Sequence, residues 1–559
     1  MVPISEVADR LGIPETARIP YGKDILKIDP ALLASGTVPQ GRPKPLGKLI
    51  VVTAVNPTPA GEGKTTVSIG LADALNAELS AITNDRITAK AANDAGHQPI
   101  CALALREPSL GPVFGLKGSA IGGGASQIEP LAKISLHFTG DIHAISAAQN
   151  LLCALVDNHV FQKNPPTLTK VLVKRCIDVN DRALRHARIG TSGQGFEITA
   201  ASEMMSIVTL ADSLADLYHR VGNIVVGLTD AGPITAGELG FTGAVVSLLV
   251  EAIQPNLVQT LQGTPALIHC GPFANVGPGV SSILATKTAL ELADFVVTEG
   301  GFGADLGLEK FLDIKCRIAG LSPNVVVLVA TVRALKHHGN GDLAYGLKNV
   351  LHHAKTVTAQ FELPVIVAVN KFPDDSRDDL DFVVEKLHQH GIKAILCDPF
   401  QAPNSNLDCR PLAREVLATL DVQKEQKPQF TPIYELPDDL TTKITNVVQK
   451  VYGGAGVTFA PEAQRKLIEL NDYALPICIA KSPISLSGRN LWRENVAESQ
   501  QLSDEDRWSL PITDLELCAG AGFIRVYTGT VLTMPGLGKV PSAMHIETDP
   551  ISGMITGIT

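Results

Sequence analysis

Thr58-Pro59-Ala60-Gly61-Glu62-Gly63-Lys64-Thr65-Thr66 stands between two segments of different character. Before it, Leu49 to Val55 is an unbroken apolar, largely β-branched run, which predicts a strand buried on both faces. After it, Val67 to Leu79 carries Ala and Leu at helical spacing. Strand, glycine-containing loop, Lys-Thr and helix in that order predict a phosphate-binding loop. Its backbone N–H groups and the positive helix end would hold phosphate oxygens, Lys64 would neutralise β/γ charge, and Thr65 would reach a Mg²⁺ ion. One position departs from the usual pattern, because Thr58 stands where the motif's first glycine normally falls. A turn that merely caps a helix is the plainer alternative; a lysine in so apolar a stretch of sequence argues against it.

Composition sets the outer bounds. A chain of 559 residues, 45% hydrophobic and with 49 glycines, is long enough for two or more domains with sizeable cores. A net charge of −10 argues against a nucleic-acid or anionic-membrane surface as the main partner, so a small anionic substrate would need local positive charge. The nine cysteines are dispersed with no CxxC pair, which predicts reduced thiols and a cytoplasmic location. The N-terminal residues carry no basic-then-apolar leader, and runs such as Val325 to Val332 are too short to span a bilayer.

Further along, Ile100 to Leu105 predicts a second buried strand that delivers Arg106 at its C-terminal end, where ligands gather in open α/β sheets. The tract from Asn76 to Gln98 extends the first helix or adds a helical hairpin, with Gly96 as a stop. Gly111 to Gly124, which includes Lys117, has glycines enough for backbone turns or close approach. His137, Asp141 and His143 form a polar cluster, suited equally to a substrate site and to a hydrogen-bonded core. Helical and strand patterns alternate through 144–290. The strand Phe295 to Thr298 ends in a glycine-rich loop bearing Glu299 and Asp305, candidates for metal or phosphate-side chemistry. Two more buried strands, Asn324 to Thr331 and Leu363 to Asn370, end in Arg333 with Lys336 and in Lys371-Phe372-Pro373-Asp374. Asn370 to Asp374 also matches, weakly, the guanine-reading element of GTP-binding proteins. Residues 422–430 read as a linker.

Together, Thr58–Thr66, Leu105–Pro112, Leu136–Ile145, Pro255–Thr260, Gly271–Asn275, Glu299–Phe311, Val329–Lys336 and Thr533–Leu537 resemble the formate–tetrahydrofolate ligase family over essentially the whole chain. The resemblance implies an α/β fold with a P-loop NTPase-like, mostly parallel sheet flanked by helices, and additional α/β lobes. Residues 1–145 and 291–360 would form the nucleotide-binding domain, 146–290 an inserted lobe, and 361–559 a C-terminal domain contributing to the folate site. It implies ligation of formate to tetrahydrofolate through formyl phosphate, with ATP and Mg²⁺, a monovalent cation, and a homotetramer. Lys64 and Arg106 would be catalytic, Lys64 on the phosphates and Arg106 on formyl phosphate. Phe302, Phe372, Pro373, Leu396 and Phe400 would line the folate slot, with Phe400 in the place of the family's stacking Trp. This displaces the guanine-reading interpretation of Asn370 to Asp374.

Several positions depart from the family's habit. The tract between the phosphate loop and Arg106 is longer, and the loop Gly190–Gly195 is shorter. Gly277-Pro278-Gly279 replaces Ala-His-Gly, while Ala125, Ala132-Lys133 and Pro483-Ile484 replace more polar or aromatic residues. Two other readings compete: a degenerate member that binds nucleotide or folate without turnover, and a P-loop ATPase switch protein.

Overall fold

In the computed structural model, residues 2–34, 46–89, 98–115, 121–401, 408–422, 429–488, 508–529 and 531–558 are described. Gly96, Lys117 and most of the linker expected at 422–430 lie outside them.

A 12-stranded sheet organises the chain. Lys48–Ala54 lies near its middle, parallel to Phe295–Glu299 on one side and to Val325–Ala330 on the other. Beyond these, Cys101–Leu105 and Pro265–Ile268 continue the parallel order on one flank. Val365–Asn370 and Ala394–Cys397 continue it on the other. The parallel strands therefore deliver their C-terminal ends to one edge, on either side of Lys48–Ala54, which is where α/β sheets of this kind hold ligands. Antiparallel strands Asn256–Thr260, Leu26–Ile28 and Arg18–Pro20 complete the first flank.

The predicted strand at Leu49 to Val55 is observed as Lys48–Ala54, and its burial follows the pleat. Ile50, Val52 and Ala54 enter a core with Val67, Leu71 and Leu75 of the helix Lys64–Ala89. Leu49, Val51 and Val55 enter the core on the opposite face, with Phe311, Leu335 and Val350. A side-chain period of two with both faces covered produces the unbroken apolar run. Each such fully buried aliphatic side chain contributes roughly 1.5–3 kcal/mol.

Two of the boundaries expected from sequence fall inside this sheet. Val365–Asn370 and Ala394–Cys397 lie beyond residue 360 yet continue the sheet from Val325–Ala330, and Asn256–Thr260 and Pro265–Ile268 lie before 290 yet join it as well. The reason is hydrogen bonding: a strand cannot leave its neighbours' ladder without unpairing backbone groups on both. A second core gathers Leu152, Met204, Val208, Val226 and Val245 of the span expected for the inserted lobe, together with Ile145, Ile314, Cys478, Cys518 and Phe523 from outside it. C-terminal residues add a sheet of Ile477–Ala480, Phe523–Tyr527 and Asp514–Cys518. Among the described residues no helix is long and apolar enough to cross a membrane.

The glycine-rich acidic segment after Phe295–Glu299 is not a water-facing turn. Ala304–Leu308 and Phe311–Cys316 are π-helical, and Asp305 is fully buried.

Candidate active site

Lys64 opens the helix Lys64–Ala89, so the loop before it faces the helix's unsatisfied N–H groups and positive end. Gly61 and Gly63 adopt φ of 76° and 67°, which curls the backbone in a way that side chains with a Cβ resist. At Gly63 space is also decisive, because a methyl there would stand 2.5 Å from Asn370 Nδ2. Thr58, in the place of a glycine, is accommodated with its N–H donating to Glu62 Oε1 at 2.7 Å. Glu62 is 4% exposed and turned inward; its other oxygen accepts from the Thr331 hydroxyl. Asn370 Nδ2 donates to Glu62 O at 3.0 Å, and Arg333 Nη2 donates to Gly61 O. The loop is thus pinned by the ends of the two adjacent strands, and its own acid serves its shape.

Lys64 Nζ donates to Phe302 O at 3.0 Å. Thr65 Oγ1 donates to Glu299 Oε2 at 3.2 Å, while Glu299 Oε1 is buried with no hydrogen-bond partner among the described residues. Arg106 is delivered to the same place by Cys101–Leu105. Its Nη1 donates to Pro272 O at 3.3 Å, and its Nε is buried with no hydrogen-bond partner among the described residues. Desolvation lowers the Arg106 pKa and the nearby Glu299 carboxylate opposes this; a guanidinium starts so high that it stays charged at neutral pH. The loop Gly300–Gly303 joins these parts. A methyl at Gly301 would lie 2.6 Å from Ala274 Cβ and 3.4 Å from Arg106 Cζ, so this backbone needs to pass without a side chain.

The five residues expected at the folate slot separate into groups. Phe302 is half-buried with φ of 60°, its carbonyl on Lys64. Phe372 is half-buried under Arg333, whose guanidinium carbon lies 4.3 Å from the ring centroid, and Pro373 beside it is exposed. Phe400 is 63% exposed and lies over the Gly123–Gly124 turn, where a methyl at Gly124 would stand 2.7 Å from its ring. Leu396 is half-buried in the edge strand and packs on the core.

Three departures from the family's habit touch this region. Gly279 has φ of 64° and its carbonyl accepts from Gly301 N at 3.0 Å. Pro483 O lies 3.4 Å from Asn56 Nδ2, and Ala125 N donates to Phe400 O at 3.3 Å. Lys133 instead pairs at the surface with Asp24 at 3.1 Å.

A polar layer missed in the sequence backs the loop. Asn56 Oδ1 receives Asn349 Nδ2 at 3.0 Å and His353 Nε2 at 3.1 Å, and Asn56 Nδ2 reaches Asp305 Oδ1 at 3.1 Å. Asp305 in turn pairs with Lys481. The His137–Asp141–His143 cluster divides: Asp141 is buried and accepts from Lys27 at 2.7 Å and from Asn256 at 2.7 Å, whereas His137 and His143 are exposed. The two imidazole centroids lie 4.9 Å apart with the rings tilted by 39°, and burial, then the neighbouring imidazole, lowers the His143 pKa. Among the described residues no group of three or more His, Cys, Asp or Glu comes together as a metal site.

The profile of the family described as formate–tetrahydrofolate ligase matches residues 1–559. The chain belongs to the formate–tetrahydrofolate ligase family. The formate–tetrahydrofolate ligase of Campylobacter curvus (strain 525.92) is 44% identical over 578 residues, covering 99% of this chain and 97% of that protein. That of Campylobacter concisus (strain 13826) is 44% identical over 579 residues, covering 100% and 97%. A family match along the entire chain does not favour a switch ATPase.

Proposed function

We infer that this ligase joins formate to tetrahydrofolate at the expense of ATP, giving 10-formyltetrahydrofolate, ADP and phosphate. One observation carries the assignment of the site: the Gly300–Gly303 loop runs beside both cations, with Phe302 O at 3.0 Å from Lys64 Nζ and Gly301 so placed that a methyl there would stand 3.4 Å from Arg106 Cζ. The phosphate cradle, the anion-binding guanidinium and the expected pterin platform therefore share one piece of backbone.

Formate oxygen attacks the γ-phosphorus of ATP, the bond to the β–γ bridging oxygen breaks, and ADP leaves. The tetrahydrofolate N10 amine then attacks the formyl carbon, the carbon–oxygen bond breaks, and phosphate departs and can accept the N10 proton. Phosphoryl transfer of this kind is accelerated by positioning and by neutralising spread anionic charge. Lys64 and the helix N-terminus supply positive charge on the nucleotide phosphates. Arg106 offers a planar fork matched to the oxygens of an acyl phosphate. Phe302 and Phe372 present apolar faces for a flat pterin, with Pro373, Leu396 and Phe400 as its further borders.

The donors at Thr65 and Glu299 fit a hard divalent cation, since an oxygen-only pair includes one buried, unpartnered carboxylate oxygen. These two residues would hold Mg²⁺, which when bound neutralises charge on the phosphate oxygens. The resemblance also carries a monovalent cation and a homotetramer into this proposal. All nine cysteines are free and buried, in keeping with a cytoplasmic setting.

The intermediate is tested with ¹⁸O-labelled formate. Transfer of one label into phosphate is the expected result, because the attacking oxygen stays on phosphorus when the amine takes the formyl carbon. Phosphate free of label would contradict formyl phosphate.

A further inference from the structure

Arg333 joins two parts of the site that have separate ligands. It lies in the first turn of the helix Val332–His338, just after Thr331, whose hydroxyl donates to Glu62. Its Nη2 donates to the carbonyl of Gly61 in the phosphate loop. Its guanidinium also lies over Phe372, with 4.3 Å from Cζ to the ring centroid, and its Nε is buried with no hydrogen-bond partner among the described residues. Phe372 meets the loop directly as well, since a methyl at Gly63 would stand 3.6 Å from the ring's Cζ. Phe372 follows the strand whose Asn370 donates to Glu62 O at 3.0 Å. Loop and ring are one packed unit, and Arg333 is the polar tie across it.

We propose that Arg333 is a positioning residue that couples nucleotide binding to folate binding. The inference rests on the ligase reading above, which assigns Phe372 to the folate slot. A planar guanidinium can stack by its face and donate by its edge at the same time, which neither Lys nor Met can do. A nucleotide that fixes the Gly61 backbone fixes the acceptor of Arg333, and so fixes the plane lying on Phe372. The ring then meets the pterin already oriented, and less ordering remains to be done on folate binding. Linkage requires the converse: bound folate must tighten the nucleotide by the same factor.

Calorimetry without formate, so that no turnover occurs, tests this. Tetrahydrofolate is titrated into the full-length protein with and without a non-hydrolysable ATP analogue and Mg²⁺, and the analogue is titrated with and without tetrahydrofolate. In the wild type each ligand should tighten the other about fivefold or more. Arg333→Met keeps an apolar contact with Phe372 but loses the bond to Gly61 O; both ligands should still bind, with coupling within about twofold of none. Phe372→Leu keeps that bond and removes the ring, and should lower the coupling independently. Arg333→Lys keeps charge and a donor without the flat face, and should fall between. No coupling in the wild type, or full coupling in both Arg333→Met and Phe372→Leu, overturns the inference. A wild type that binds the analogue but not tetrahydrofolate overturns the ligase reading itself, which distinguishes the two failures.

Discussion

Lys481 Nζ lies 2.7 Å from Asp305 Oδ2, with both side chains fully removed from solvent. The ammonium also donates to Ser485 O at 2.6 Å, so the C-terminal segment is anchored to the π-helical turn behind the phosphate loop. Asp305→Ala would leave a buried ammonium without its counter-charge, and should cost about 3–5 kcal/mol in denaturant unfolding. Burial alone would raise the Asp305 pKa, but Lys481 and His353, with hydrogen bonds from Lys481 and Asn56, bring it below the ordinary value. Its folded form therefore binds fewer protons than the unfolded chain. The stabilisation is complete above the unfolded carboxylate's pKa of about 4 and is lost as pH falls through the lower folded value. The stability gap between wild type and Asp305→Asn should shrink on acidification below about pH 4.

Glu62 acts on its own loop. Its carboxylate accepts from Thr58 N and the Thr331 hydroxyl, so Glu62→Ala frees the backbone that must curl around phosphate. The KM for ATP should rise about tenfold while the KM for formate changes little, read from steady-state kinetics with each substrate varied in turn.

Glu299 carries the divalent-ion assignment. Glu299→Gln keeps the shape and the acceptor for Thr65 while removing a charge. It should raise the Mg²⁺ concentration needed for half-maximal activity by about tenfold. A Mg²⁺ titration at fixed ATP checks this, and an unchanged midpoint would point to other ligands.

Phe400 is 63% exposed and lies over a glycine turn. Phe400→Trp adds stacking face and should lower the KM for tetrahydrofolate by a few fold, roughly 0.5–1 kcal/mol, without moving the KM for ATP. An effect on ATP alone would remove Phe400 from the folate slot.

The parts of this site written locally were readable in the sequence. The strand at Leu49 to Val55, the loop and the helix after it follow from contiguous residue types, and Arg106 follows from a strand end. Partnerships across the sheet were not. Asp305 reads as an acid on a glycine loop because Lys481, its partner, lies 176 residues away. Lys27, Lys310, Lys315, Lys443 and Lys481 are all fully buried, against the usual habit of lysine, and nothing beside them in the chain announces it. Arg333 reads as a cation ending a strand; its role depends on Gly61 and Phe372, which other strands bring to it. The same holds for the sheet's extent past residue 360, since strand order is a property of pairing between distant segments.

The central claim is that the phosphate loop and Arg106 drive formate activation for transfer to tetrahydrofolate. ADP release by the purified protein with ATP and Mg²⁺, with formate and tetrahydrofolate each added or withheld and 10-formyltetrahydrofolate followed alongside, tests it most directly. Sustained turnover only with all three substrates, with at least about a hundredfold loss in Arg106→Ala, is the predicted result. ATP hydrolysis that is indifferent to formate and tetrahydrofolate would contradict it.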